Sequence, residues 1–234
     1  MVSFKAALAA VAGASAVAAS TCVPRAVNTT TCNSKTYVYN GLSGYGFVPS
    51  NARDKYGDTI SLGSSIAIDS WKQKGESYEG VLYALPDRGW NTEGTLNFQA
   101  RIHKYNIKLT PVAASLSNPA KPNVEFEYLD TILLTGPDGE PTTGLDPDFT
   151  GGATYPGFPI LPAATYTGDG FGGSGPGGKR VCLDPEGIVL SPGGGFWISD
   201  EYGPYLYKFD NKGKMVYAIA PPDALLPLRN GTVR

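Results

Sequence analysis

The sequence predicts an all-β fold of the β-propeller-like kind. Three features support this prediction: a high content of glycine and proline, short apolar runs, and a weak internal repeat. Of the 234 residues, 30 are Gly and 19 are Pro, and aromatic residues make up 11%. Short strands joined by Gly/Pro turns have this composition. Helical bundles need long stretches of helix-forming residues, and disordered chains contain few aromatic residues.

Residues 1–20 are predicted to be a secretory signal peptide. Lys5 supplies the positive charge, and a run of small and apolar residues follows from Ala6 to Ala19. Because this run is shorter than the roughly 20 apolar residues of a membrane span, a membrane anchor is the weaker alternative. Cleavage is expected between Ala18 and Thr21. We therefore expect a secreted, extracellular protein without a membrane partner.

The charge and the cysteines agree with export. The chain has 19 Lys and Arg residues, one of them in the signal peptide, and 21 Asp and Glu residues, a balance that favours no nucleic-acid partner. In an oxidising compartment, Cys22 and Cys32 could form a disulfide, which would leave Cys182 unpaired. A glycoprotein is predicted from two sequons, Asn28-Thr29-Thr30 and Asn230-Gly231-Thr232.

The predicted domain organisation is an N-terminal segment, 21–36, followed by one β domain, 37–234. Nine runs rich in β-branched and aromatic residues predict its strands. These runs are 37–39, 65–68, 80–85, 101–109, 124–134, 187–190, 195–199, 205–209 and 215–219. The last two runs flank Asp210-Asn211-Lys212-Gly213 and predict a hairpin. Gly136-Pro137-Asp138-Gly139 predicts a turn. The Gly/Pro-rich stretch 135–180 is expected to be an irregular insertion, and long loops of this kind are usually functional or disordered.

A weak internal repeat favours a propeller. Residues 80–89 can be aligned with residues 194–203, and each segment ends in acidic residues followed by Gly. Similar strands follow, around Tyr105 in the first copy and around Phe209 in the second. Repeating multi-strand units are typical of β-propellers. A β-sandwich with two similar hairpins is the alternative that this pattern leaves open.

Several common catalytic designs are excluded by the residues present. The chain has no Gly-x-Ser-x-Gly elbow, and Gly173–Arg180 departs from a P-loop because Arg180 replaces the magnesium-binding Ser or Thr. The single histidine, His103, alternates onto the same face as Tyr105 and Ile107, so we expect it to be a packed strand residue. One histidine cannot form a multi-histidine metal site.

Acidic residues at the ends of predicted strands are the remaining candidates for chemistry. Carboxylates that converge from several strand ends suit a hard cation such as calcium, and they also suit general acid–base catalysis. Turns rich in Asp are equally common on surfaces without any such role. Arg88 could bind an anionic group or serve as an ion-pair partner. The candidates are Asp87, Arg88 and Glu93, then Asp184 and Glu186, then Asp200 and Glu201, and separately Asp54 and Asp58.

At these residues the chain resembles a known family, the secreted fungal phytase-like proteins, whose domain is described as the esterase-like activity of phytase. Four segments carry the resemblance, which extends over about 37–222. They are Arg53-Asp54-Lys55-x-Gly57-Asp58-Thr59, Ala84–Asn91, Asp184–Ile188 and Trp197–Pro204. The resemblance implies a propeller-like fold and a phosphoesterase site built from Asp and Glu. The motifs of histidine acid phytases and of cysteine phytases are both missing from the sequence.

We therefore expect a phosphoesterase that acts on a phosphate ester or another anionic small molecule with the help of a divalent cation, for which calcium is the candidate. Asp87 or Glu201 would orient a water molecule, and Arg88 would hold the anionic substrate. The expected catalytic residues are Asp87, Arg88, Glu186 and Glu201, and the expected cation ligands are Asp184, Glu186, Asp200 and Glu201.

Two alternatives remain at this point. The chain could be a non-catalytic secreted propeller that binds a glycan or a protein through 135–180, or it could be a truncated, inactive product. The resemblance implies further blades beyond residue 234, so we expect an incomplete propeller that holds the N-terminal blades.

Overall fold

The structure is a computed structural model that describes residues 27–90, 93–114, 118–226, 228–229 and 232–233. The predicted signal peptide, Cys22 and the sequon at Asn230 lie outside the described residues. No helix among the described residues is long and apolar enough to cross a membrane. Residues 27–42 belong to one compact unit and residues from Ser43 onward to another.

The described part of the first unit, residues 27–42, forms an antiparallel hairpin. Strand β1 (Asn28–Cys32) pairs with β2 (Lys35–Tyr39), and Asn33 and Ser34 adopt positive φ angles in the tight turn between them. Every residue of both strands is exposed. The predicted strand at Tyr37–Tyr39 is therefore confirmed, whereas the Thr-rich strand β1 was not predicted.

The second unit is built around two four-stranded antiparallel sheets, so the all-β prediction is confirmed. Each sheet follows chain order, with sequential strands as neighbours. The first sheet contains β3 (Ser65–Lys74), β4 (Ser77–Leu85), β5 (Arg101–Leu109) and β6 (Val124–Leu133). The second sheet contains β9 (Pro185–Leu190), β10 (Phe196–Asp200), β11 (Leu206–Phe209) and β12 (Met215–Ile219).

Smaller elements complete this unit. The region 135–180 contributes the two-stranded sheet of β7 (Ala163–Tyr166) and β8 (Gly178–Val181), and its buried Leu161 belongs to the main hydrophobic core. The predicted turn at Gly136–Gly139 is confirmed, because the Gly139 N–H donates to the Gly136 carbonyl at 3.0 Å. Near the C-terminus, a 3₁₀ helix (Asp223–Leu225) precedes the short strands β13 (Leu228–Arg229) and β14 (Thr232–Val233).

The two segments of the sequence repeat occupy equivalent places in the two large sheets. Each segment supplies the second strand of its sheet, β4 or β10, and the following strands, β5 and β11, are both third. The first strands of the two sheets are neighbours, because the Ile188 N–H of β9 donates to Ser65 Oγ of β3 at 3.2 Å.

The main core lies between the two large sheets. Strand alternation directs Tyr83 and Leu85 of the first sheet toward Phe196 and Ile198 of the second. The rings of Tyr83 and Phe196 are 5.5 Å apart. A second, smaller cluster on the other face of the first sheet contains Leu82, Ala84, Tyr105 and Ile107, against which Val48, Ile60 and Leu62 pack. Burial of these two clusters fixes the strand ends at which the acidic residues lie.

Candidate functional site

The acidic residues meet where three strand ends coincide. Asp87 and Arg88 follow the end of β4, and Asp184 immediately precedes β9. Because β9 and β10 are antiparallel, the start of β9 lies beside the end of β10. The Glu201 N–H donates to the Asp184 carbonyl oxygen at 2.9 Å and so fixes this neighbourhood.

A β-bulge determines the position of Glu186. Ser199 of β10 pairs with Gly187, but the next residue, Asp200, pairs with Pro185, so Glu186 is the extra residue of β9. Bulges of this kind redirect side chains and are frequent near functional sites. The Glu186 carboxylate is hydrogen-bonded to Ser64, just before β3.

Three of the predicted ligands come together. One carboxylate oxygen from each of Asp184, Glu186 and Glu201 lies within 4.8 Å of the others. Asp184 is buried, whereas Glu186 and Glu201 are exposed. The group is therefore anchored on one side and accessible to solvent on the other, and its three oxygen donors could bind a metal ion.

The carboxylates affect one another electrostatically. Burial raises the pKa of Asp184 above its ordinary value, and the nearby charges of Glu201 and Asp87 add to this effect while Arg88 opposes it. Burial, Asp184, Glu201 and Asp87 likewise raise the pKa of Glu186. Like charges that raise one another's pKa values indicate a surplus of negative charge, which a bound cation would relieve.

Asp200, the fourth predicted ligand, has a different environment from the other three. Its Oδ2 accepts the Asp184 N–H at 2.8 Å, and its Oδ1 accepts the Tyr202 N–H at 3.1 Å. Burial nevertheless raises the pKa of Asp200 to about 8. The carboxyl group thus holds the backbone on both sides of the site, and the structure does not bring it into the group formed by Asp184, Glu186 and Glu201.

Arg88 is held on several sides by groups of the protein itself. Its backbone N–H donates to Asp184 Oδ1 at 3.1 Å. Its side-chain Nε lies 3.2 Å from Asp184 Oδ2, which makes an ion pair without hydrogen-bond geometry. Its Nη1 donates to Asp146 at 2.9 Å and to the Tyr202 hydroxyl at 2.7 Å. Asp87, the neighbour of Arg88, accepts the Gly89 N–H through Oδ1 at 2.8 Å.

Three residues of this neighbourhood were not predicted: Ser64, Asp146 and Tyr202. Tyr202 accepts from Arg88 and donates to the Gly144 carbonyl at 2.6 Å, so it connects Arg88 to the 135–180 region. Tyr202 stands inside the motif Trp197–Pro204, and this was the available signal. Asp146 and Ser64 have no comparable signal, because their relation to the site depends on how distant segments pack.

The other sequence candidates lie elsewhere. Asp54 and Asp58 both accept from Arg101 Nη1 at 2.7 Å, and the Asp54 side chain is completely buried. Glu93, which follows Asp87 and Arg88 in the chain, is exposed. His103 is fully buried in β5, as predicted, and burial lowers its pKa to about 4.

Comparison with known proteins identifies the family. The family model described as "Phytase-like: Esterase-like activity of phytase" matches residues 74–234. The chain belongs to this phytase-like family. The matched residues include both large sheets apart from most of β3, together with the acidic strand ends.

The phytase-like chain also has a relative among curated proteins. It is 62% identical over 212 residues to an uncharacterized secreted protein of Arthroderma benhamiae (strain ATCC MYA-4681 / CBS 112371). The match covers 88% of this chain and 41% of the relative, so the chain spans about two fifths of the length of that protein. The description of the relative as secreted agrees with the export predicted for this chain. No solved structure matches the chain.

The cysteines of the phytase-like chain form no disulfide among the described residues. Cys32 is exposed and Cys182 is buried, and neither has a disulfide partner within the described part of the chain. The Cys22–Cys32 pairing stays a prediction because Cys22 is outside the described residues. Burial raises the pKa of the Cys182 thiol far above its ordinary value, which makes it a poor nucleophile.

Proposed function

We propose that this chain carries the cation-binding part of a secreted phosphoric-ester hydrolase, and that the cation is calcium. The observation that carries the proposal is the approach of Asp184, Glu186 and Glu201 oxygens to within 4.8 Å of one another. Membership of the phytase-like family supports the reaction class. Export is proposed from the signal-peptide pattern and from the description of the relative as a secreted protein.

The chemistry of the donor set fits a hard cation. Calcium takes six to eight oxygen ligands in flexible geometry, and carboxylates are its usual protein ligands. The group offers carboxylates and neither sulfur nor imidazole, which disfavours softer metals. The exposure of Glu186 and Glu201 leaves room for water or a substrate oxygen to complete the coordination.

A cation at this site would supply Lewis-acid polarisation of a phosphoryl oxygen. The protein residues would provide the remaining functions. We assign to Asp87 or Glu201 the role of orienting the water molecule. The water oxygen would attack phosphorus, and the P–O bond of the ester would break to release the alcohol. Asp200 would keep the Asp184 and Tyr202 backbone in place through its two accepted N–H bonds.

Arg88 receives a different proposed role from the one that the sequence suggests. Its guanidinium is already engaged with Asp184, Asp146 and Tyr202. These contacts favour a positioning role, in which Arg88 fixes Asp184 and offsets part of the negative charge. An anionic substrate would then be attracted mainly by the cation, because the carboxylates near it repel phosphate.

The test is calcium binding measured by isothermal titration calorimetry, together with release of phosphate from p-nitrophenyl phosphate and from phytate. Glu186→Gln removes one ligand charge, and we expect at least a tenfold loss of calcium affinity and a parallel loss of turnover. Glu125→Gln, at an exposed position of β6, is the matched control and should change neither. Calcium binding without any turnover would favour the non-catalytic alternative, and equal affinities in both variants would contradict the proposed ligand set.

We also infer that the two large sheets are consecutive blades of a β-propeller. Propeller blades are four-stranded antiparallel sheets repeated around a centre. Three observations support this assignment: the sequential strand order, the matching repeat segments and the contact between β3 and β9, the first strands of the two sheets. An experimental structure of the longer relative would test it, since a sandwich would pair the two sheets face to face without further radial repeats.

A further inference from the structure

One face of the second sheet is apolar and open to solvent. This outer face consists of Val189, Trp197, Leu206, Tyr217 and Ile219. Directly opposed residues of antiparallel strands share a face, and Trp197 is opposed to Val189 while Leu206 is opposed to Ile219. Val189 is 64% exposed and Tyr217 is 51% exposed. Single apolar residues on a surface need no explanation, but a contiguous apolar patch usually marks an interface.

The internal repeat relates the outer face to a face that is already covered. It aligns Trp197 of β10 with Tyr83 of β4, and each ring lies beside a lysine of the next strand. Lys104 Nζ lies 5.3 Å from the centroid of the Tyr83 ring. Lys208 Nζ lies 5.7 Å from the Trp197 ring. The Tyr83 ring packs 5.5 Å from Phe196 of the second sheet, whereas no further four-stranded sheet among the described residues covers Trp197.

The contact between the two large sheets is of the head-to-tail kind. The first sheet contributes the side of β4 that holds Tyr83. The second sheet contributes the opposite side of the equivalent strand, the side of Phe196 and Ile198. In the repeat these two residues align with Leu82 and Ala84, which lie on the far side of the first sheet. A contact between two different faces is not closed by two members, so one face of each kind is left over.

The two remaining faces differ in how the chain covers them. Val48, Ile60 and Leu62 pack on the cluster that contains Leu82 and Ala84. The chain therefore supplies its own cover at this end of the pair of sheets. A second copy of the chain could repeat the head-to-tail contact at the outer face only by displacing that cover. A different sheet, with its receiving face free, would meet no such obstacle.

We propose that the outer face is the docking surface for a third four-stranded antiparallel sheet, whose second strand places a large apolar side chain against Trp197 as Phe196 lies against Tyr83. The third sheet would be supplied by polypeptide outside these 234 residues in a longer form of the protein. More than half of the Arthroderma benhamiae relative lies outside its match to this chain, which is ample length for such a sheet. The inference rests on the proposed assignment of the two sheets as blades, and it is independent of cation binding and hydrolysis.

The test compares the 234-residue chain with a fusion that joins to it the part of the relative outside the match. Val189→Cys places a thiol on the outer face, and peptide mass spectrometry measures its alkylation by N-ethylmaleimide separately from that of the natural cysteines. We expect alkylation to be about tenfold slower in the fusion, because the reagent must reach the thiolate. Glu125→Cys, at an exposed position of β6, is the control and should react equally fast in both proteins.

Equal alkylation rates at Val189→Cys in the two folded proteins would overturn the proposal. Slow alkylation already in the 234-residue chain, with the mass of a dimer in analytical ultracentrifugation, would assign the outer face to a second copy and would also overturn it. Far-UV circular dichroism distinguishes a sheet from another cover: slow alkylation in a fusion that gains helical signal instead of β signal would contradict a third sheet.

Should the fusion fail to fold, hydroxyl-radical footprinting of the intact relative decides. We expect the positions that align with the outer face to be protected in the relative and labelled in this chain, and equal labelling would overturn the proposal. None of these measurements depends on calcium or on phosphate release. Failure of the proposed cation site would therefore leave the result at the outer face unchanged, and the two failures are distinguishable.

Discussion

At the scale of single residues, the structure separates two kinds of acidic side chain that look alike in the sequence. Asp54 is buried and bound to Arg101, which also stacks on the Phe98 ring at 4.3 Å. Burial raises the pKa of Asp54. The hydrogen bonds from Arg101 and from the Asp58 and Tyr56 amides lower it by a larger amount, so the pKa lies below its ordinary value. Burial instead dominates at Asp184, whose pKa is raised. Asp54 is therefore a structural acid, whereas Asp184 belongs to the group that we propose as a cation site.

This difference predicts the effect of Asp54→Asn. The variant keeps an oxygen for the loop amides but leaves Arg101 without its buried partner, and loss of one partner of a buried pair costs about 3 kcal/mol or more. Asp58→Asn is the matched control: it loses the same guanidinium, yet the Asp58 side chain is 52% exposed, so we expect a loss of about 1 kcal/mol or less. Urea unfolding measures both variants, and similar losses in the two would contradict the burial argument.

The candidate site was predictable at this scale only in its charged groups. Asp184, Glu186 and Glu201 stand out because acids cluster at the ends of apolar runs, and the structure brings them together. The different orientation of Asp200 could not be predicted. It depends on the backbone N–H groups of Asp184 and Tyr202, which reach the Asp200 carboxylate only after β9 and β10 have paired. The contacts of Arg88 with Asp146 and Tyr202 likewise join residues 58 and 114 positions apart.

At the scale of elements, hydrophobic runs identified the strands of both large sheets because these strands bury one face. The bounds of β5 and β12 agree with the predicted runs, and β3 and β4 extend further into a hairpin whose β3 side is exposed and whose β4 side is half-buried. Strands β7 and β8 were missed because Ala163–Tyr166 and Gly178–Val181 carry few large apolar residues. The bulge at Glu186 was also missed, since register is a property of the strand pair.

The connection into β3 predicts a second measurable effect. Gly63 has a φ of +73°, and a Cβ there would overlap with the Leu85 carbonyl oxygen and the Pro86 Cα. Because this overlap involves backbone atoms, we expect Gly63→Ala to destabilise the protein by about 3 kcal/mol. We also expect it to displace Ser64, the hydrogen-bond partner of Glu186, and so to weaken calcium binding.

Gly75→Ala is the control for this substitution. Gly75 also has a positive φ, +60°, but a Cβ there would meet no atom within 4 Å. We therefore expect Gly75→Ala to lower the stability by only about 1 kcal/mol, through backbone strain alone, and to leave the calcium affinity unchanged. Thermal and urea unfolding of the two variants give the comparison, and a Gly63→Ala variant as stable as Gly75→Ala would show that the loop adapts.

At the scale of the whole molecule, the residues from Ser43 onward place both large sheets around one core and collect carboxylates where the strands β4, β9 and β10 end. Four carboxylates repel one another there: Asp87, Asp184, Glu186 and Glu201. The positive charge of Arg88 offsets part of this repulsion at Asp184. The repulsion among these groups opposes folding, whereas the hydrophobic core favours it. A ligand that binds only the folded state and cancels the repulsion must therefore stabilise the protein as a whole.

Thermal unfolding with calcium and with EDTA tests this coupling. At a calcium concentration about one hundred times the dissociation constant, the linkage stabilises the folded state by about 2.7 kcal/mol. For a domain of this size that energy raises Tm by roughly 5 to 10 °C. Glu201→Gln removes one ligand charge, so its EDTA form should be at least as stable as the wild-type EDTA form, while its calcium response should shrink. Glu125→Gln should retain the full response. An equal rise in all three proteins would mean that calcium acts through general screening, and no rise in the wild type would mean that the carboxylates tolerate their mutual repulsion without a cation.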